Sequence, residues 1–360
     1  MRIGIDVRKL GDGGIGVYIR ETLVALRALA PDLAIVAFGD PRARALLPIA
    51  DLEWVAVDAG KYSVAEHFVL PAAARSRGLD LFHAPHYVLP IALSGPAVVT
   101  VHDSIHVLHP RTLTHAPYAR LTIGFACRRA RRVITVSETS ARDLHEQIGV
   151  PREKIRVIRN GVAARFRPLA ADEVERRLAA LSLRRGYVLF VGNALPHKNV
   201  ESIIRAWARL PEPRPELVLC GRGFTANAAV NQALAEATGR ERVRIVAASP
   251  GELVPIYNGA SVVVTASLYE GFCLPVVEAF ACGVPVLASD AGAIPEIAGG
   301  AALLVSPRRV DLIASEMYRL LTDDRLRREL AAKGLARAAT FSWEEAARQT
   351  LSVYEEAIAR

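Results

Sequence analysis

Short apolar runs recur along the chain, separated by longer stretches whose apolar residues fall at helical spacing. In the first half the runs that read as strands are Ile3–Val7, Ala34–Phe38, Trp54–Val57, Leu81–His83, Val98–Val101, Val133–Val136 and Ile155–Ile158. In the second half they are Tyr187–Val191, Leu217–Leu219, Val243–Val246, Val262–Val264, Val286–Ala288 and Ala302–Val305. Strands alternating with helices predict parallel sheets built from βαβ units, so the fold class is α/β. Ser137 reads as the cap of a helix over Glu138–Gln147, and Ser342 as the cap of the last helix. A polar stretch over Arg165–Arg185, carrying Pro168, marks a boundary between two Rossmann-like, doubly wound domains. These are expected at residues 1–165 and 166–342, with a terminal helix over 343–360. Ligands of such sheets bind at the carboxyl ends of the strands.

A chain of 360 residues exceeds what one hydrophobic core usually serves, which agrees with two domains. No stretch approaches 18 uninterrupted apolar residues, and MRIGIDVRKL reads as a first strand, not a signal peptide. Cys127, Cys220, Cys273 and Cys282 form no CxxC pair and no zinc spacing, so reduced thiols and a cytoplasmic setting are expected. The net charge of +8 is uneven: up to Arg165 there are 22 Lys and Arg against 15 Asp and Glu, and afterwards 23 against 22. Such a basic half suits anionic lipid at the inner membrane face, a diphosphate-linked acceptor or nucleic acid, of which nucleic acid is not expected as a partner. Arg128, Arg129, Arg131 and Arg132 crowd one predicted helix end, as a basic face or as plain solvated cations near a helix C-terminus.

After the first strand, Gly11, Gly13 and Gly16 spell GxGxxG, and Asp40 follows the second strand where a dinucleotide-binding acid would sit. Glycines admit a phosphate and the following helix offers unpaired N–H groups, so the loop supports a diphosphate without choosing the molecule. A second loop is more specific. After Val262–Val264 comes Glu270-Gly271-Phe272-Cys273-Leu274-Pro275, then Glu278 and Gly283. Pro275 suits a first helical turn and Gly283 a helix end, which places Glu270 in the loop and Glu278 about one turn into the helix. Two carboxylates so placed accept hydrogen bonds from sugar and ribose diols.

EGFCLPVVEAFACGVPV resembles the E-x7-E signature of family 4 glycosyltransferases with the GT-B fold, and the resemblance covers essentially the whole chain. GGIGVY resembles the family's phosphate loop. FHAPHYVLP and VTVHDSIHVLHP resemble its cleft strands, and TVSETSARDL and VIRNGV its inter-domain segments. VGNALPHKN resembles its donor loop and FSWEEAARQTLSVYEEA its closing helix. The resemblance implies two domains facing across a cleft, with the terminal helix returning to the N-terminal, acceptor-binding domain, and a C-terminal domain that binds the donor. It further implies that Glu270 contacts the donor sugar, helped by the backbone of Gly271, Phe272, Cys273 and Leu274. Glu278 would hold the ribose. Lys198 would neutralise the diphosphate, with Asn193 beside it, while Gly14 and Gly16 approach the phosphate and His102 lies against the transferring sugar. Glu270, Lys198 and His102 would carry the chemistry. Three positions depart from the family: Asn193 where Arg or Thr is common, His197 in place of an Arg, and Cys273 where Gly is usual, which would add a side chain near the donor.

The reaction implied is retaining, metal-independent transfer of a hexose without a bound cofactor. The first donor is GDP-mannose, ahead of UDP-glucose or another UDP-sugar, and the acceptor is a glycan or lipid-linked glycan of surface polysaccharide. Charge left on the departing phosphate can be met by Lys198, loop N–H groups and helix N-termini. His102-x3-His106 would suit a metal on a helix, but Val98–Val101 reads as a strand and Pro110 interrupts any helix, so no metal is assigned. His83, His86 and His102 are read as polar cleft residues; Tyr18, His83, His86 and Asp103 are assigned to the acceptor. Asp103 equally suits a turn cap, and His106, His109 and His115 equally suit structural roles. Trp343 and Tyr354 are read as packing residues. Two rival classes are an NAD(P)-dependent oxidoreductase, which leaves the glutamate loop unexplained, and a sugar-nucleotide-binding partner protein without turnover.

Overall fold

The computed structural model describes residues 1–110 and 114–359. The chain forms two compact units: Met1–Gly161 with Ser342–Arg360, and Val162–Phe341. The first division thus falls after Gly161, ahead of the polar stretch expected to mark it.

In the first unit, strands β1 (Arg2–Asp6), β2 (Ala34–Gly39), β3 (Glu53–Ala56), β4 (Leu81–Ala84), β5 (Ala97–Thr100), β6 (Arg132–Thr135) and β7 (Ile155–Val157) form one sheet in the order β3-β2-β1-β4-β5-β6-β7. Every pairing is parallel. Chain order reverses between β1 and β4, so the loops after these two strands flank the switch point. Central strands are buried on both faces, which is why they read as unbroken apolar runs and not as alternation. One face packs Phe38, Phe82 and Val99 against Leu70 of the Glu66–Arg75 helix and Ile123 of the His115–Arg129 helix.

The second unit holds β8 (Tyr187–Val191), β9 (Leu217–Cys220), β10 (Val243–Val246), β11 (Ala260–Thr265), β12 (Val286–Ser289) and β13 (Leu303–Val305), ordered β10-β9-β8-β11-β12-β13 and all parallel. Here the reversal lies between β8 and β11. Successive residues of β8 feed opposite layers: Leu189 meets Phe280 and Ile256 on one face, while Val188 and Phe190 meet Ile203 and Trp207 on the other.

All thirteen expected strands are present. The helix expected over Glu138–Gln147 changes character partway: it is α-helical over Glu138–Asp143 and π-helical over Leu144–Ile148, stopping at Gly149 with φ 80°. Ser137 caps it by accepting from Ser140 N, as Ser342 caps the terminal helix Trp343–Ile358. That terminal helix packs on the Gly13–Leu29 helix inside the first unit. The arginine cluster is mostly structural. Arg129 donates to the Leu93 and Gly95 carbonyls, Arg131 to that of Ala357, and Arg132 pairs with Glu356, leaving Arg128 exposed.

Candidate functional site

In the second unit, two loops meet at the switch point. The loop after β8 carries a short 3₁₀ turn, Pro196–Lys198, and the loop after β11 carries Ser267 to Cys273. Lys198 Nζ donates to Glu270 Oε1 at 2.6 Å, and Ser267 Oγ donates to the same oxygen at 2.6 Å. Burial pulls the Glu270 carboxyl upward, but Lys198 and the Ser267 hydroxyl outweigh it, so the group is held below its usual value. It is therefore a carboxylate at neutral pH, set against a cation.

Both loops are fastened from behind. Asn199, at φ 50°, donates through Nδ2 to the Ala266 carbonyl (3.1 Å) and the Pro307 carbonyl (2.7 Å), and accepts from Ser202 Oγ. Leu268 N donates to the His197 carbonyl at 2.7 Å. Glu270 is gripped by its own backbone too, since Ala293 N donates to its carbonyl at 2.9 Å.

The helix Leu274–Ala281 begins directly after this loop, with Pro in its first turn. Pro275 has no N–H and Val276 N donates to the Cys273 carbonyl at 3.1 Å, so the helix start can offer a ligand the N–H groups up to Leu274 and not those beyond it. Glu278 lies on that helix and is 9% exposed; its Oε2 accepts from Tyr257 OH at 2.7 Å. Cys273 adopts φ 74°, a conformation natural to glycine, so its backbone explains why glycine is usual there. Its side chain corrects the expectation: it is buried in the core layer of Val276 and Phe280 and adds nothing to the loop surface. Phe272 is likewise buried, its ring edge-on to Phe341 at 5.6 Å. Residues 271–274 can thus offer a ligand mainly backbone. Asn193 is exposed at the end of β8.

In the first unit, the loop after β1 runs into the Gly13–Leu29 helix. Gly14 is exposed in its first turn. Gly16 differs from expectation: it is buried, and a Cβ there would stand 2.2 Å from the Leu10 carbonyl oxygen. Its bare backbone lets the helix dock on its own loop and does not face a phosphate. Asp40 caps a 3₁₀ turn, accepting from Arg42 N and pairing with the Arg42 guanidinium.

Tyr18, His83 and His86 also lie beneath the surface and not along it. His83 Nδ1 meets Tyr354 OH at 2.7 Å and its Nε2 meets Thr100 Oγ1 at 2.8 Å; Tyr18 OH is 3.1 Å from the same Thr100 oxygen. The Tyr18 ring stands edge-on to His102 at 4.8 Å. Val88 N donates to His86 Nδ1, so the His86 Nε2–H is the atom facing Asp6 Oδ2 at 3.2 Å. Asp6 also takes a fork of hydrogen bonds from Arg8, whose other arm reaches Glu66 at 2.9 Å. These groups scaffold the loops instead of lining them. Asp103 Oδ1 accepts from Ile105 N, the turn-capping role. Trp343 and Tyr354 are packed as expected.

His102 follows β5 and is partly buried. Its Nε2 lies 3.0 Å from the Pro85 carbonyl, so Nε2 carries the proton and Nδ1 is the acceptor. Burial pushes His102 down to about 4 and His83 down to about 3, so both rings are neutral at working pH. A folded-state value below the unfolded 6.5 means that the unfolded chain binds the proton first. The stability these rings contribute is full above pH 6.5 and is lost as pH falls toward about 4. The urea midpoint should drop over that window, His83 alone contributing about 1.4 kcal/mol per pH unit. His83→Asn should flatten the profile between pH 6 and 4, and an unchanged slope would count against this account.

Sequence reasoning missed four residues. Lys9, with its ammonium on the Tyr62 hydroxyl and 4.1 Å from that ring's centroid, is buried beside the glycine loop. Ser267, Asn199 and Tyr257 hold the two glutamates or their loops. Asn199 closes the donor-loop motif VGNALPHKN and Ser267 stands three residues ahead of Glu270; Tyr257 carries no sequence signal. Among the described residues no three His, Cys, Asp or Glu side chains are grouped to hold a metal.

The family model described as Glycosyltransferase Family 4 matches residues 12–166, and that described as Glycosyl transferases group 1 matches residues 173–337. The chain is 31% identical over 284 residues to O-antigen chain mannosyltransferase B of Escherichia coli, covering 76% of this chain and 74% of that protein. It is 33% identical over 290 residues to the MMP alpha-(1->4)-mannosyltransferase of Mycolicibacterium hassiacum, covering 76% and 68%. Anabaena HepE, solved with UDP and glucose, matches with a TM-score of 0.82 at 21% identity over 99% of this chain and 100% of that one. That likeness concerns the fold: two parallel-sheet α/β units of the GT-B kind. Since each unit is matched by a glycosyltransferase model and relatives above 30% identity align across both, the chain belongs to glycosyltransferase family 4.

Proposed function

We propose that this chain transfers a hexose, with retention of anomeric configuration, from a nucleotide-diphosphate sugar to a glycan or lipid-linked acceptor. The observation that carries the reading is the Lys198–Glu270 pair, formed by the two loops at the switch point beside a helix N-terminus. Breaking the bond between sugar and diphosphate leaves negative charge on the phosphate. In this reading Lys198 and the loop N–H groups up to Leu274 meet that charge, and no metal is needed. A diphosphate arriving at Lys198 competes with Glu270 for the ammonium, which frees the carboxylate to accept sugar hydroxyls. Glu278, with one oxygen steadied by Tyr257, holds the ribose. His102, neutral and presenting Nδ1, accepts a hydrogen bond from a sugar hydroxyl and does not act as a cation. Attack on the same face, with the departing phosphate taking the acceptor proton, requires no protein nucleophile.

The mannosyltransferase names of the relatives favour GDP-mannose as donor and surface polysaccharide as product. The excess of cations in the first 165 residues favours an acceptor carried on lipid at an anionic membrane face, met peripherally from the cytoplasm.

Thermal stabilisation by GDP-, UDP-, ADP- and dTDP-sugars, with NAD and NADP alongside, tests the donor. Ligand at about 1,000-fold its Kd should add about 4 kcal/mol. Glu278→Ala should abolish the response to a single nucleotide series, and the product's anomeric proton should report retention in the presence of a chelator. Stabilisation by NAD or NADP alone would overturn the proposal.

A further inference from the structure

The first unit carries an unusual side. Among the exposed large apolar residues, the four most exposed are Val64 (78%), Leu121 (69%), Phe68 (60%) and Ile91 (60%), with Tyr118 at 52%. All five lie on segments that leave the carboxyl ends of β3, β4 and β5, the end of the sheet where His86 and His102 stand. The exposed large apolar residues of the second unit are fewer and none exceeds 46%.

The segments that carry these five are packed on one face of the sheet or joined to it. The Glu66–Arg75 and His115–Arg129 helices cover the same face of the first sheet, through Leu70 and Ile123. The connection between β4 and β5 bridges them. Ile91 N donates to His67 Nδ1, and Ala92 N to the His67 carbonyl, on one helix. Leu93 and Gly95 accept from Arg129 on the other. Ile91 therefore lies on the connection that ties the helix of Phe68 to the helix of Leu121.

The exposed charge on the two helices themselves has one sign. The His115–Arg129 helix contains no Asp or Glu, and Arg120 and Arg128 are exposed on it. The Glu66–Arg75 helix has one acid, Glu66, which is buried against Arg8, while Arg75 is exposed. Apolar side chains of this size on a soluble surface mark a contact. A second copy of the chain meeting itself across a two-fold axis would set these arginines against one another. A peptide of opposite charge would meet the cations but leave four large apolar tips in water. An anionic lipid surface meets both, since side chains enter the interface while guanidinium groups stay at headgroup level. No helix among the described residues is long and apolar enough to cross a membrane, so the contact is from one side.

We infer that the strip Val64, Phe68, Ile91, Tyr118 and Leu121, flanked by Arg75, Arg120 and Arg128, is the surface by which the chain docks on an anionic bilayer. The inference rests on the reading of a lipid-carried acceptor, and gives it a place: docking here sets the ligand-binding end of the first sheet beside the headgroups.

The test is co-sedimentation of the full chain with phosphatidylcholine vesicles, with and without phosphatidylglycerol, for wild type, Phe68→Asp/Leu121→Asp and the control Tyr318→Asp in the second unit. Wild type and control should bind the anionic vesicles and release with added salt, while the double variant should bind about tenfold more weakly or less. The double variant should keep its nucleotide-sugar stabilisation, which shows that it is folded. Equal binding by wild type and double variant overturns this surface and leaves the peripheral reading standing. No binding by wild type overturns both. A dimer in sedimentation velocity that the double variant dissolves, with no vesicle binding, overturns the proposal in favour of a second copy. Loss of nucleotide-sugar stabilisation in every protein, wild type included, would count against the transferase reading itself, whatever the vesicles show.

Discussion

Lys198→Ala should lower kcat/KM for sugar transfer by about 10²–10³-fold, the range found when one preorganised charge-stabilising group is removed. The ammonium is one of the two partners of Glu270 Oε1, at 2.6 Å, and it stands where the loop after β8 meets the loop after β11. Its removal acts twice. On the proposed mechanism the departing diphosphate loses a cation, and Glu270 is left in a mostly buried position where desolvation, the largest influence on it, is no longer opposed by that charge. The Glu270 carboxyl should then titrate higher, so the residual activity should fall away at a higher pH on the acid side than in wild type. Lys198→Ala/Glu270→Gln separates the two effects, because it removes the unpaired carboxylate without restoring the cation. It should recover stability while activity stays low. Initial rates with the donor found by thermal stabilisation give the answer, and a kcat/KM within about twofold of wild type for Lys198→Ala would remove the residue from the mechanism.

Gly292→Ala should destabilise the chain by about 2–4 kcal/mol, a large effect for one methyl group. Gly292 has φ 58°, which an alanine adopts at a cost, and its added Cβ would stand 2.6 Å from both the backbone N and the backbone O of Glu270. Neither atom is the end of a flexible side chain. The Glu270 segment would have to move, and with it the carboxylate that Lys198 and Ser267 hold. The urea midpoint should therefore fall together with nucleotide-sugar stabilisation. A variant of wild-type stability would mean that the loop yields freely, contrary to its fastening through Ala293 and Leu268.

The parts of the fold written locally could be read from the sequence. Each strand is a short apolar run that folds between helices, and the loop over Glu270–Leu274 is punctuated by Pro275 and Gly283, which act within a few residues of themselves. What could not be read was the direction in which side chains turn. His83 looks like a cleft histidine until Tyr354, 271 positions later, is seen to occupy its Nδ1. Gly16 looks like a phosphate glycine until the Leu10 carbonyl is found against it. The hold of Tyr257 on Glu278 depends on two helices packing side by side, and no periodicity records that. Cys273 departed from its family in side chain alone. Its backbone is left-handed, the conformation that favours glycine, so the anomaly visible in sequence marks a position of special backbone conformation.

The division of the chain also has a consequence for the order in which it is made. The first unit is completed only by its last helix, which arrives after the whole of the second unit has been synthesised. Until then the newly made β4 carries His83 with Nδ1 unanswered, and the Gly13–Leu29 helix lacks its neighbour. The second unit eases that wait. Val162 N donates to the Phe341 carbonyl at 3.2 Å, so the two ends of this unit lie side by side. Once folded, it behaves as a short tether in place of a long loop, and the entropy of bringing the final helix home is reduced accordingly. On this topology the half whose synthesis starts first is the half completed last.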